Sequence, residues 1–264
     1  MIKFSANLSL LFTEVPLLER FDSAKEAGFQ AVEIQFPYHE HIDTIRAKLD
    51  QTGLKLVLFN VDADDLLSGG EGLAAVPEKR DRFKVALQQA VDYAEALQPE
   101  VINVLPGRCL NPKYLDAYQK TYAENLLLAA DTFGQLGIKT VFEAINPIDM
   151  PGFIIYNGKQ MLALLDRLRH PNLSMQVDIY HFAMNGEGEN IGDFIANHTS
   201  SIGHIQFADC PGRGQPGTGH IDFQQLFNSI AKSSYKGWIG AEYKPVGHTL
   251  SSLSWLDPFQ SEKL

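Results

Sequence analysis

The sequence predicts a single α/β domain over residues 1–264, a (β/α)₈ TIM barrel, and three observations carry that expectation. The chain has 264 residues, close to the ~250 typical of one such barrel. Strand-like and helix-like segments alternate along its whole length. Four short apolar runs each end in an oxygen-bearing side chain, at Glu143, Asp178, Gln206 and Glu242. These are separated by 35, 28 and 36 residues, each near the ~31 residues of one βα unit. Buried parallel strands read as apolar runs, so a polar residue at each end places four such groups on one rim.

The elements follow in order. Ile2 to Leu8 reads as the first strand, with Asn7 near its end. Pro16 to Ala27 is the first helix, with Pro16 suited to the first turn and Gly28 to the position after the last. Ala31 to Phe36 is the second strand and carries Glu33 and Gln35. A short helix, Ile42 to Leu49, leads to the third strand, Leu54 to Phe59, which ends at Asn60. Val61 to Pro77 is a long connection with Gly69, Gly70 and Gly72. Loops of that length in compact domains are usually functional, so it is a candidate lid.

Lys79 to Leu97 is a helix whose apolar stripe is Phe83, Leu87, Ala90, Val91, Ala94 and Leu97. Val101 to Leu105 is the fourth strand, turned by Pro106-Gly107. Tyr114 to Leu136 is a helix with Tyr118, Tyr122, Leu126, Ala129 and Phe133 on one face. The fifth strand runs from Ile138 to Phe142 and delivers Glu143, and Asn146-Pro147 breaks the chain. Lys159 to Leu168 is a helix, Leu173 to Asp178 a strand, and Ile191 to His198 a helix. Ile202 to Gln206 is the seventh strand, followed by a glycine-rich loop from Cys210 to Gly219. Phe223 to Lys232 is a helix, and Trp238 to Glu242 the eighth strand. The tail, Leu253 to Leu264, has Trp255 and Phe259 to dock it. Right-handed crossovers between consecutive parallel strands close eight such units into a barrel. An open doubly wound sheet is the alternative, but no Gly-x-Gly-x-x-Gly follows the first strand.

Hydrophobic residues make up 45% and charged residues 20% of the chain, enough for a large core. The net charge of −10 argues against a nucleic-acid surface. Two cysteines, Cys109 and Cys210, are too few for a disulfide framework or a cysteine-rich zinc site. No apolar run approaches the ~20 residues of a membrane span, and no signal peptide is evident. A cytoplasmic protein without membrane partners is expected, and assembly into a homo-oligomer stays open.

A single polar strand end is most often a solvated loop start. Four at one-unit spacing point instead to a site. Three carboxylates and a carboxamide form an all-oxygen set that suits a hard divalent cation, Mg²⁺ or Mn²⁺. Without one, the carboxylates would repel and their pKa values would rise, although the residues leave the metal requirement open. A cation that chelates a hydroxyl and an adjacent carbonyl acidifies the neighbouring C–H. Glu143 and Glu242, facing across the barrel mouth, are the candidate proton donor and acceptor. His181 and Arg213 are placed to bind substrate oxygens, Arg213 with a fork suited to a carboxylate. Asp149 and Lys244 complete the candidates. The glycine-rich loop lacks the Gly-Lys-[Ser/Thr] ending of a phosphate loop.

Several stretches carry a family resemblance: Phe4-Ser5-Ala6-Asn7-Leu8-Ser9, Glu143-Ala144-Ile145-Asn146, Asp149-Met150-Pro151-Gly152-Phe153, Asp178-Ile179-Tyr180-His181, Gly203-His204-Ile205-Gln206, and Glu242-Tyr243-Lys244-Pro245. With them the chain resembles the xylose-isomerase-like barrels, and within these the hydroxypyruvate isomerase family and its sister, the 2-oxo-tetronate isomerases. The resemblance implies an intramolecular oxidoreductase of carbohydrate and glyoxylate metabolism, acting on a small hydroxy-oxo acid. It implies Glu143 and Glu242 as the proton-transfer pair and a metal site on Glu143, Asp178, Gln206 and Glu242. The wider epimerase branch usually has histidine where this chain has Gln206. Leu11 to Pro16 looks like the tetronate enzyme. Asp149 to Phe153, Asp178 to His181 and Arg213 to Gly219 look like hydroxypyruvate isomerase. Alternatives are another small keto-sugar isomerase or epimerase, a metal-dependent endonuclease-like hydrolase on the same barrel, and a non-catalytic sugar-acid binding protein.

Overall fold

A computed structural model describes residues 2–260. Among these, eight strands pair in parallel and in sequence order, and β8 returns to β1 to close the barrel. They are β1 (Lys3–Asn7), β2 (Ala31–Glu33), β3 (Lys55–Asn60), β4 (Val101–Asn103), β5 (Lys139–Glu143), β6 (Leu173–Asp178), β7 (Ile202–Phe207) and β8 (Trp238–Ala241). The barrel is the fold that the alternating pattern predicts.

The helices are α1 (Leu17–Glu26), α2 (Ile42–Thr52), α3 (Arg80–Leu97), α4 (Leu115–Gln135), α5 (Gly158–Leu168), α6 (Ile179–Met184), α7 (Ile191–His198), α8 (Phe223–Lys232) and α9 (Asp257–Gln260). The sequence pattern misses α6. Six residues give too little periodicity, and its start is set by the Asp178 carboxylate, which accepts from Tyr180 N at 2.9 Å as an N-cap. Strands β2 and β4 are shorter than their apolar runs, although Ile34 N and Val104 N still donate to Leu58 O and Val141 O of the neighbouring strands at 3.0 and 2.9 Å. Of the apolar stripe expected on α3, Phe83, Leu87, Ala90, Ala94 and Leu97 are buried while Val91 is half-buried; all five residues expected on the face of α4 are buried. Their removal from water drives the helices onto the sheet.

The tail is described as far as Gln260, and residues 261–264 lie outside the described part. Within it Trp255 and Phe259 stack edge-on against Phe4, with ring centroids 5.1 and 5.0 Å away. The Trp255 indole N–H donates to Tyr243 at 3.1 Å. The expected docking of the tail is therefore present, against Phe4 of β1 and Tyr243 just after β8. No helix of the described residues is long and apolar enough to cross a membrane.

Candidate active site

Strand direction puts the carboxyl ends of β5, β6 and β8 on one rim, and there Glu143, Asp178 and Glu242 converge. All three are nearly sealed from water, at 6%, 1% and 5% exposure. Arg213, on the loop after β7, reaches in among them. Its Nη2 donates to Glu242 Oε2 at 2.6 Å and lies 3.4 Å from Asp178 Oδ2. One guanidinium does not neutralise three carboxylates. Burial first, then Glu242 and Asp178, push the Glu143 carboxyl well above the ordinary range. Burial likewise raises Asp178, against the opposing pull of Arg213. Burial also pushes Glu242 up to about 7, again with Arg213 opposing.

The two glutamates are set differently. Among the described residues, Glu242 Oε1 accepts from Asn7 Nδ2 at 3.0 Å and Gln35 Nε2 at 2.9 Å, in addition to Arg213 at Oε2. Glu143 accepts from Asn103 Nδ2 at 2.7 Å. Donors stabilise the ionised form of a carboxylate, so Glu242 is the better supported as an anion and Glu143 the more readily protonated.

His181 sits beside them on α6 with its tautomer fixed by Asn146. Asn146 Oδ1 is held by the backbone N–H groups of Ile148 and Asp149, so its Nδ2 must turn to His181 Nδ1, 2.7 Å away, and to Asp149 Oδ2. Nδ1 therefore accepts, and the ring proton is on Nε2, 3.5 Å from Asp178 Oδ2. Burial, then Arg213, holds the ring well below its ordinary pKa, so it is neutral. Glu143, Asp178 and His181 offer ligand atoms within 4.8 Å of one another, a spacing that could hold a metal ion. The tautomer makes His181 a donor toward the cavity and leaves the oxygens as the natural cation ligands.

The other sequence candidates are placed as follows. Asp149 is exposed at the cavity edge and accepts from Asn146 and from the Tyr180 hydroxyl at 2.8 Å. Lys244 is exposed. What it gives the site is its backbone N–H, which holds Arg213 O at 2.7 Å. Gln206 is buried at the end of β7, but its amide is engaged below the rim: Nε2 donates to Glu33 Oε2 at 2.8 Å, and Oε1 accepts from Gln176 Nε2 at 2.6 Å.

Several residues of the site are not among the sequence candidates. Asn103 and Gln176 carry no sequence signal beyond their strands. Glu33 is legible as a polar residue in an apolar strand, yet no exposed role fits it. In the structure it is fully buried under the rim and accepts from Ser5 Oγ at 2.6 Å and His204 Nε2 at 2.8 Å, as well as from Gln206. Burial would raise its carboxyl, but His204 and the hydrogen bonds hold it below the ordinary range. Asp209 organises the glycine-rich loop. Its carboxylate accepts from the backbone N–H groups of Cys210, Gly217, Gly219 and Ile221. The loop is thus an anion nest filled by the chain's own carboxylate, and it holds Arg213 in the left-handed region at φ 57°.

The cavity at the rim has a volume of about 90 Å³, far below the ~300 Å³ at which drug-sized pockets begin. It suits a metabolite of a few heavy atoms. The connection from Val61 to Pro77, expected as a lid, contributes Leu66 and Leu67 to its wall. This connection is pinned on three sides. Leu66 packs with Leu105, Ile145 and Phe153, Lys79 bonds Asp64, Asp65 and Gly72 O, and Arg108 spans Gly69 O and Pro151 O. It is a fixed cover in this conformation.

Comparison with known proteins agrees with this geometry. A profile of the family described as xylose isomerase-like TIM barrel matches residues 21–259. The chain is 39% identical to a hydroxypyruvate isomerase of Escherichia coli over 98% of this chain and 100% of that one. It is 38% identical to a 2-oxo-tetronate isomerase of Pectobacterium atrosepticum over 100% of both. A crystal structure from Brucella melitensis, described as an AP endonuclease of family 2, superposes with a TM-score of 0.93 at 36% identity, covering 98% of this chain and 99% of that one. With the full barrel matched and the identity sustained end to end, the chain belongs to the xylose isomerase-like TIM barrel family and, within it, to the group of hydroxypyruvate and 2-oxo-tetronate isomerases.

Proposed function

We propose that the protein interconverts hydroxypyruvate and 2-hydroxy-3-oxopropanoate by proton transfer between two glutamates. The observation that carries this is the unequal, buried pair Glu143 and Glu242 on one small cavity. Glu242, with three donors on its carboxylate, takes a proton from C3. The C–H electrons become the C2=C3 bond of an enediolate, and O2 takes up the negative charge. Glu143 returns a proton to C2, the C3 hydroxyl proton passes to O2, and an O3 lone pair closes the C3=O3 bond of the aldehyde; Glu242 then holds a proton and Glu143 lacks one, and exchange with solvent resets the pair. Nothing is gained or lost, as an isomerisation requires. The buried Nε of Arg213, without a partner among the described residues, is a donor for the substrate carboxylate, and His181 Nε2–H is a second donor to a substrate oxygen.

The carboxylate set fits a divalent cation, because three buried acids against one guanidinium leave negative charge uncompensated. Glu143, Asp178 and Glu242 would hold it, while the Gln206 amide is engaged by Glu33 and Gln176 beneath them. When bound, such a cation polarises the carbonyl and stabilises negative charge on its oxygen. The hard oxygen ligands favour Mg²⁺ or Mn²⁺. The pH dependence has a defined sign. Carboxyls with raised folded-state pKa values favour folding while protonated, and this contribution is lost as pH rises, for Glu242 between its ordinary value of 4.5 and about 7. A cation replaces the protons above that window. The rise in melting temperature produced by saturating Mn²⁺ is therefore expected to be several degrees larger at pH 8 than at pH 5. An equal or smaller rise at pH 8 would remove these carboxylates as the ligands.

The reading is tested by proton NMR in D₂O with hydroxypyruvate and then a four-carbon 2-oxo acid, each with EDTA and with Mn²⁺. Deuterium entering hydroxypyruvate as the semialdehyde forms is the expected result. Turnover of the four-carbon acid alone would keep the mechanism and move the substrate to the tetronate class, which the 38% identity to that enzyme over the whole chain makes the second reading. Exchange with neither, metal present, would overturn the isomerase assignment. A nucleic-acid hydrolase is disfavoured by the net charge of −10 and by the small size of the cavity.

A further inference from the structure

Two buried amide oxygens of residues in the cavity wall, Asn60 Oδ1 and Gln176 Oε1, have no partner among the described residues, and the orientation of the second is fixed by its neighbours. Gln176 is 1% exposed and lines the cavity, and its Oε1 has no partner among the described residues. A buried amide oxygen left unpaired is costly, and an Asn or Gln normally flips to avoid it. Here a flip is blocked by a chain of three groups. The Glu33 carboxylate, sealed under the rim, takes donors from Ser5, His204 and Gln206. Being acceptor-only, it requires Gln206 to turn its NH₂ downward. Gln206 Oε1 must then face Gln176, which turns its own NH₂ to meet it at 2.6 Å. The orientation of one amide sets the next, and Gln176 Oε1 is left facing the cavity.

From this relay we infer that Gln176 is a specificity-determining residue whose Oε1 accepts a hydrogen bond from the substrate hydroxyl at C3, with Glu33 as the buried positioning residue that fixes its polarity. The inference rests on the isomerase reading above and adds how the site selects a 3-hydroxy-2-oxo acid over the same acid without the hydroxyl. An acceptor that meets no donor penalises the deoxy analogue, because the analogue leaves the buried oxygen unpaired. Neither Gln176 nor Glu33 is assigned a part in the proton transfer.

The test compares the KM for hydroxypyruvate with the Ki for pyruvate, which lacks the hydroxyl. In the native enzyme the Ki is expected to exceed the KM by ~10-fold or more. In Gln176→Met, of similar length and without the acceptor, the KM should rise while the Ki holds or falls, so that the two converge. Glu33→Gln frees the relay to reverse and should shrink the same ratio without touching the cavity; it also serves should Gln176→Met fail to fold. Mn²⁺ affinity, measured by calorimetry, should be unchanged in Gln176→Met. A KM-to-Ki ratio that survives both substitutions overturns the inference. A parallel rise of KM and Ki, or a loss of Mn²⁺ affinity in Gln176→Met, also overturns it, the last making Gln176 a metal ligand instead. In each of those cases native turnover of hydroxypyruvate leaves the isomerase reading standing, whereas no native turnover overturns both.

Discussion

Glu143→Gln is expected to lower turnover by ~10³-fold or more with the fold intact, since a positioned acid or base contributes ~10²–10⁴ and the amide can neither donate nor accept the transferred proton in its place. Glutamine keeps the length and the contact to Asn103 Nδ2, now through its amide oxygen. It also replaces a carboxyl that burial and its acidic neighbours hold against ionisation with a group that stays neutral, so the melting temperature without metal should rise or hold. The pairing of a large kinetic loss with unchanged or greater stability separates a catalytic role from a structural one. Glu242→Gln should lose turnover comparably, but at a stability cost, because Arg213 would lose its closest carboxylate at 2.6 Å. Solvent-exchange NMR and a thermal melt on the same samples read both quantities. Turnover within about tenfold of native in Glu143→Gln would remove that residue from the proton path.

The second large effect lies below the rim. Gly240 on β8 stands beside Glu33, and a Cβ built there falls inside the contact distance of both carboxylate oxygens. The glycine is needed for space, not for backbone freedom. Gly240→Ala must therefore displace a buried anion that has three donors. Overpacking alone costs ~1–3 kcal/mol, and breaking a buried charged pair ~3–5 kcal/mol. A loss of ~3 kcal/mol or more is expected, a fall in melting temperature of roughly 10 °C for a chain of this size. Glu33→Ala in the same chain relieves the clash, so the two substitutions should be far from additive. A melting temperature for Gly240→Ala within about 2 °C of native would show that Glu33 is not fixed where the relay to Gln176 requires it.

Much of the site is legible once the two-residue period of a strand is applied backward from each polar strand end. Asp178 leads back to Gln176, Gln206 to His204, Glu242 to Gly240, Gln35 to Glu33 and Asn7 to Ser5. In the structure the second members Ser5 and His204 meet on Glu33, to whose carboxylate both donate. The period shows that these side chains share a face. It does not show that residues 171 apart in sequence, Glu33 and His204, lie 2.8 Å from each other. Nor does it show that Gln206 turns its amide down to Glu33, because closure of the barrel sets that distance.

The sequence by itself determined the barrel and the polar strand ends at its rim. These follow from local signals, such as apolar runs of strand length, caps, and the repeat of one βα unit. Tertiary structure decided what each group can do. The Asn146 contact made His181 a neutral donor, the Asp209 nest placed Arg213, and the Glu33 relay fixed the orientation of the Gln176 amide. Protonation, tautomer and amide orientation depend on which partners lie within hydrogen-bond distance and on the exclusion of water, and both exist only once eight distant strand ends have been brought together.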